Sequence, residues 1–309
     1  MQLFYNPEHC TLCPRGCGAV RGNTIGKGFC QMPDQPMVAR AALHQWEEPP
    51  ISGTKGAGTV FFSGCALRCV YCQNDRISQQ NFGKVISKSH LREIFNKLIQ
   101  AGAHNIDLVN PSHFSHVIGE VLEAPLSVPV IWNSSGYDRV STLQALAGKI
   151  QIYLPDFKYP DSHAALRFSE AEDYPSVAKN ALIEMVRQTG PYVLDENGLL
   201  KRGVMIRHLL LPGRLQQAKE VMDWIAQTFE PKSVLFSLMG QYVPCGRAEA
   251  LPALNRVLRK SELKAAIQYM SALGLEGYIQ EDTSAVKEYV PAFDLTGVKE
   301  ETVQREKII

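Results

Sequence analysis

The stretch Gly64-Cys65-Ala66-Leu67-Arg68-Cys69-Val70-Tyr71-Cys72 constrains this chain more than any other. Its three cysteines are spaced Cys-x3-Cys-x2-Cys, directly behind the short run Thr59-Val60-Phe61-Phe62. Such a run reads as a buried strand, which puts the thiols in a loop at its end. Soft thiolates this close together favour zinc or an iron–sulfur cluster over hard cations. The alternative is three packing cysteines, since a free thiol is often buried as a small hydrophobe. Tight spacing in a loop after a strand argues against that. Three thiolates are one short of a complete cubane, so a [4Fe–4S] cluster held here would leave one iron open to a small ligand.

Seven of the eight cysteines in these 309 residues fall into two tight groups. That pattern points to metal binding in a reducing cytoplasm rather than to disulfides. The second group is Cys10, Cys13, Cys17 and Cys30, in the pattern Cys-x2-Cys-x3-Cys-x12-Cys among many glycines. Glycine lets the backbone turn tightly around an ion. Four thiolates suit either a structural zinc or a second [4Fe–4S] cluster, and the spacing leaves both open. Residues 31–55, with prolines at 33, 36, 49 and 50, read as an extended connection. Net charge is +1, which argues against a nucleic-acid partner or an anionic membrane surface. The first residues lack the basic and apolar regions of a signal peptide, and no run reaches the ~18 apolar residues of a spanning helix.

From residue 56 onward, strand-like runs alternate with helical stripes. Strands are expected at 58–63, 105–109, 128–132, 150–154, 204–211 and 233–239. Helices are expected between them, at 112–123, 139–147, 174–188 and around the stripes Leu91-Ile94-Phe95-Leu98 and Leu215-Ala218-Met222-Ile225. Ser87 or Ser89 is positioned to cap the first. Two closing helices are expected at 248–259 and 263–273. This alternation implies an α/β fold with a parallel sheet of six units. Residues 277–309 show no long periodicity. The organisation is therefore a metal-binding extension and linker at 1–55, a barrel-like domain at 56–280, and a tail at 281–309 that ends in a charged segment, 299–307.

The Cys65 motif, with an aromatic just before its last cysteine, resembles the radical S-adenosylmethionine (SAM) superfamily. Asn133-Ser134-Ser135-Gly136-Tyr137, Asp156-Phe157-Lys158 and Leu211-Pro212-Gly213 narrow the resemblance to activases of glycyl radical enzymes. The most similar branch is described as pyruvate formate-lyase activating enzyme-like, and the likeness runs from about Cys10 through Phe293-Asp294-Leu295-Thr296-Gly297. The resemblance implies a partial (β/α)6 TIM-like barrel with a Cys-rich N-terminal extension. It implies a [4Fe–4S] cluster on Cys65, Cys69 and Cys72, with SAM on the open iron. It places Tyr71 by the adenine, and Asn110 to Ser112 where many members have Gly-Gly-Glu facing the methionine amine. Asn133 and Ser134 would lie by the ribose or methionine moiety, Lys158 on the methionine carboxylate, and Asp156 beside it or on the ribose. His208 is a further expected cofactor contact, with a satisfied core histidine as its alternative. His113 and His116 are read as pocket lining or surface, and Cys245 as structural. Asp156 and Lys158 could instead form a surface ion pair.

Three functions compete on these residues. One is an activase that takes a hydrogen atom from a glycine of a partner protein, supplied with electrons by a flavodoxin- or ferredoxin-type donor. The second is a radical enzyme acting on a small molecule or on another peptide residue. The third is a non-catalytic iron–sulfur electron-transfer protein.

Overall fold

The computed structural model describes residues 5–280 and 291–299; the charged segment expected at 299–307 lies outside them from residue 300 on. In chain order the strands are β1 (Met37–His44), β2 (Ala57–Phe62), β3 (Lys84–Val85), β4 (Ile106–Val109), β5 (Val130–Ser134), β6 (Ile152–Pro155), β7 (Val193–Leu194), β8 (Leu200–Leu209), β9 (Leu235–Met239) and β10 (Gly277–Gln280). They pair in the order β10-β9-β8-β6-β5-β4-β2-β1-β3, with β7 antiparallel against β8. The run from β2 to β10 is parallel throughout, and β1 is antiparallel to both β2 and β3. Parallel neighbours need crossover connections, and helices supply them. The result is an open, partial β/α barrel.

Alternation along each strand sorts the side chains. One face, including Val60, Leu108, Trp132, Tyr153, Ile206 and Phe236, packs against the helices in the main core. The other face looks inward. Its lower half is an apolar plug that includes Ile131, Ile152, Leu154, Met205 and Leu235, closed by Ile51 from the short helix Pro49–Ser52. Above the plug the inward residues become polar. Both faces are covered, so the strands read as continuous apolar runs in the sequence.

The helix Lys88–Gln100 begins as expected, with the Ser87 side chain accepting from the His90 amide. Several elements differ from expectation. The connection at 31–55 contains an eight-residue strand, β1, because its prolines flank the segment rather than interrupt it. The expected six units gain a seventh parallel strand, β10, too short to leave a periodic signature. The helix Ser162–Ser169 was not expected; it is short, and Asp161 caps it by accepting from the Ala164 amide. The helix expected at 248–259 is reduced to a 3-10 turn, Gly246–Ala250, which Pro252 helps to stop. The stretch around Phe293 adds to the β1 edge: Leu295 N donates to Ala39 O at 3.0 Å, and Ala41 N to Thr296 O at 2.9 Å.

Candidate functional site

The inward residues at the strand ends open into a cleft of about 610 Å³. Phe61, Val109, Asn133, Asp156, Arg207 and Met239 bring six parallel strands to its wall. Cys69, Tyr71 and Cys72, from the loop after β2, form another side.

That loop leaves β2 through Gly64, whose φ of +78° suits a residue without a Cβ. Each of its three thiols meets a donor or a hydroxyl. Cys65 Sγ accepts from Leu67 N at 3.3 Å, and Cys69 Sγ from Ser169 Oγ at 3.0 Å. Cys72 Sγ lies 3.2 Å from Ser78 Oγ. Burial, reinforced by the neighbouring Cys69, pushes the Cys65 thiol up to about 11 and that of Cys72 up to about 12. These sulfurs hold protons at neutral pH until a metal displaces them. Among the described residues no three His, Cys, Asp or Glu side chains close on a single ion. A cubane makes a different demand, since each thiolate takes its own iron and the ligands stand apart around the cluster. Three thiols on one loop, each beside a hydrogen-bond donor or hydroxyl and two of them on the cleft wall, fit such a group.

Opposite the thiols lies a network of charges. Lys158 Nζ is 2.6 Å from Asp156 Oδ2, and Arg207 Nε is 3.1 Å from Asp156 Oδ1. Arg207 also reaches Asn133 Oδ1 at 2.6 Å and Glu47 Oε2 at 3.1 Å. Burial works to protonate Asp156, but Lys158 and Arg207 outweigh it and hold the carboxyl below its usual value. Glu47 goes the other way, its value raised by burial against the pull of Arg207. Beneath them Glu48 and Asp107 are fully enclosed, and burial raises both. Glu48 faces the hydroxyl of Ser237, and Asp107 meets Thr59 and Asn133 through one oxygen while its other has no partner among the described residues.

The structure brings Cys69, Tyr71, Cys72, Asn133, Asp156 and Lys158 to the cleft. Cys65 lies behind them, where its thiol meets Asn110 Oδ1 at 3.6 Å. Asn110 adopts φ +59° and ties the loop down through Gly64 O, so its side chain braces the thiols. Three expected cofactor residues face elsewhere. Ser112 and Ser134 both donate to the buried carboxylate of Asp138, on the helix side of the sheet. His208 is buried with Nδ1 2.7 Å from Phe157 O, and burial lowers its pKa to about 4. It is a satisfied core histidine. His113 and His116 lie outside the cleft and are buried. His113 Nε2 is 2.6 Å from Ser63 O, and His116 Nε2 is 3.2 Å from Asp34 Oδ1. Asp156 and Lys158 are buried in the cleft wall, at 16% side-chain exposure each, and are no surface pair.

Sequence reasoning missed Glu47, Glu48 and Asp107, and placed Arg207 at a strand end facing the pocket without giving it a role. The signal for Arg207 was alternation: on β8 it shares a face with Met205 and Leu209, and His208 takes the other face. For Glu47 and Glu48 the signal was two acids directly before Pro49-Pro50, a helix start held against the barrel floor.

The N-terminal thiols form a second group. Cys10 and Cys13 are buried, Cys30 is half-buried and Cys17 is exposed. Burial pushes Cys13 up to about 12, and the charges of Cys30, Cys10 and Cys17 add to it, so the four sulfurs feel one another. The lobe is bonded to the barrel: Arg139 donates to Cys13 O at 3.1 Å and Thr142 Oγ1 to Leu12 O at 2.8 Å. No helix among the described residues is long and apolar enough to cross a membrane.

Among solved structures, the fold is similar to SuiB of Streptococcus suis bound to its precursor peptide SuiA, with a TM-score of 0.48 at 12% identity over 71% of this chain. The match spans about half of SuiB, 47% of its length. QueE from Escherichia coli aligns with a TM-score of 0.45 at 10% identity, over 80% of this chain and 94% of QueE. Methylornithine synthase (PylB) gives 0.47 at 13% identity, over 70% and 68%. A curated relative is the uncharacterized protein MJ0674 of Methanocaldococcus jannaschii, 26% identical over 279 residues, 87% of this chain and 76% of the relative. Residues 52–155, which carry Cys65, Cys69 and Cys72 and end beside Asp156, match the family described as the 4Fe-4S single cluster domain.

Proposed function

We propose that this protein is a radical SAM enzyme that cleaves SAM reductively and abstracts a hydrogen atom from a glycine of a partner protein or peptide. The observation that carries this reading is a three-thiol loop that puts Cys69 and Cys72 on the same cleft as a buried Asp156–Lys158–Arg207 network, with Cys65 directly behind them. The match of residues 52–155 to a 4Fe-4S single cluster domain supports the thiol loop as a cluster site. Cys65, Cys69 and Cys72 would hold the cluster, which would supply the electron that breaks the sulfonium bond of SAM. The chain's own residues do the rest. Lys158, with Arg207 behind it, meets the methionine carboxylate, which is costly to bury without a cation. Asp156 holds both cations in place, Asn133 lies within reach of the ribose or methionine moiety, and Tyr71 offers its ring to the adenine. Water exclusion falls to the apolar wall of Phe61, Val109 and Met239.

Cys10, Cys13, Cys17 and Cys30 hold a second metal in this reading, a [4Fe–4S] cluster or zinc. A flavodoxin- or ferredoxin-type protein supplies the electrons, in a reducing cytoplasm. A small-molecule substrate is the second reading, favoured by the polar side chains of Glu47, Asn133 and Gln241 on the cleft wall. Anaerobic reconstitution tests the proposal. The reduced protein is expected to convert SAM to 5′-deoxyadenosine and methionine, and replacing Cys65, Cys69 or Cys72 by alanine is expected to abolish this. Undiminished cleavage in the triple variant would sink it.

A further inference from the structure

The loop that carries the N-terminal thiols also grips the barrel thiols, through one side chain. Arg15 stands between Cys13 and Cys17. Its Nε donates to Ala66 O at 2.8 Å, inside the Cys65–Cys69 turn. Its Nη2 donates to Ser169 O at 3.3 Å, and its Nη1 to Glu170 O. The guanidinium lies 3.9 Å from the centre of the Phe29 ring.

Helix chemistry explains the convergence. Ser169 is the last residue of the helix Ser162–Ser169, and Glu170 caps it at φ 55°. The final carbonyls of a helix lack intrahelical partners and carry the negative end of its dipole. Here they are filled from two directions. Arg68 N and Val70 N of the thiol loop donate to Ser169 O and Phe168 O at 3.3 and 2.9 Å. Arg15 fills the remainder from the N-terminal lobe.

The Ser169 side chain completes the link. It is fully buried, and its hydroxyl donates to Cys69 Sγ at 3.0 Å. Tyr159 OH lies 2.7 Å from that hydroxyl, and Tyr71 OH lies 2.5 Å from Tyr159 OH. A buried chain of hydroxyls thus ends on a thiol of the barrel loop, with its last member pinned by Arg15.

We infer that Arg15 is a positioning residue for the barrel cluster: it holds Ser169 so that its hydroxyl bonds to Cys69, and thereby raises the cluster's reduction potential. This rests on the reading of Cys65, Cys69 and Cys72 proposed above. A hydrogen bond to a ligand sulfur draws off negative charge and favours the reduced, more negative form. The three-point grip needs the planar fork of arginine; a lysine keeps the charge and loses the fork.

The test is the midpoint potential of the barrel cluster in the full chain. That cluster is identified as the paramagnetic signal lost when Cys65, Cys69 and Cys72 are all replaced. Ser169→Ala is expected to shift the potential negative. Arg15→Lys is expected to shift it in the same direction despite its retained charge, and to add nothing in the Ser169→Ala background. A wild-type potential in Arg15→Lys, or an equal shift with and without Ser169, overturns the inference. Should Arg15→Lys fail to load, an unchanged potential in Ser169→Ala overturns it equally. If wild-type protein shows no signal that depends on the three cysteines, the reading of the site itself fails.

Discussion

Asp156 is shared by two cations, with Lys158 Nζ at 2.6 Å from one oxygen and Arg207 Nε at 3.1 Å from the other. One carboxylate therefore orients both positive groups of the cleft wall. Lys158→Ala is expected to weaken SAM binding about 10- to 100-fold, the range for losing a hydrogen bond to a charged group. Iron content and the cluster spectrum should stay at wild-type levels. Asp156→Ala is a different experiment, because it leaves two enclosed cations without their common partner. Breaking a buried pair from one side costs about 3–5 kcal/mol, so this variant should unfold at clearly lower denaturant. Equilibrium dialysis and urea titration check the two outcomes, and unchanged affinity in Lys158→Ala would remove that residue from the binding site.

The barrel floor should make stability depend on pH. Burial raises the values of Glu47, Glu48 and Asp107 above those of an unfolded chain. Below the unfolded value each group is protonated in both states and contributes nothing. As pH rises through the window up to the folded value, the unfolded state releases its proton first, and the folded state loses ground. Asp156 has the opposite sign, and its stabilisation is lost only as pH falls through its lowered value. Glu48→Gln removes the ionisation and keeps a side-chain oxygen for the Ser237 hydroxyl that faces it. Its melting temperature should match wild type at pH 4 and exceed it at pH 8. A constant difference across that range would show that Glu48 does not titrate on unfolding.

The N-terminal thiols should bind metal independently of the barrel. A variant lacking Cys65, Cys69 and Cys72 is expected to retain iron and sulfide, or zinc, through Cys10, Cys13, Cys17 and Cys30. Burial keeps Cys13 protonated near neutral pH, so metal loading should release protons and weaken as pH falls. Elemental analysis of that variant at pH 8 and pH 6 reads both effects. No bound metal at either pH would refute the site.

The two groups of thiols were legible as groups because their members are neighbours in sequence. Asp156 and Lys158 were legible because two residues apart on an extended segment share a face. The same rule, applied to β5 and β8, would have kept Asn133 without Ser134 and chosen Arg207 over His208. Chemical type had admitted Ser134 and His208 there, and the structure turns both away from the cleft. Ser112 was out of reach in a different way: its partner Asp138 follows another strand, and only the folded sheet joins them. Glu47 enters the site from a segment read as a connection, through a bond to Arg207 that spans 160 residues. No local pattern announces a contact of that range.

The substrate is the finest of these questions, and the cleft frames its test. Beyond the thiols and the charged wall, the lining passes to Trp46, Gln241 and Ile279, residues outside the thiol loop. Trp46 is 60% exposed and Ile279 is 39% exposed, so the rim offers apolar contact area to something larger than SAM. A glycine loop of a partner could lie across that rim with its Cα hydrogen inside. Under the activase reading, anaerobic incubation with reductant, SAM and a candidate partner should give a doublet paramagnetic signal on the partner. Deuteration of glycine Cα should collapse the doublet, because the splitting comes from the one remaining α-proton. Trp46→Ala should lower the rate of radical formation while leaving SAM cleavage without partner unchanged. If no candidate acquires a radical, and deuterium instead passes through 5′-deoxyadenosine into a metabolite fraction, the small-molecule reading replaces this one.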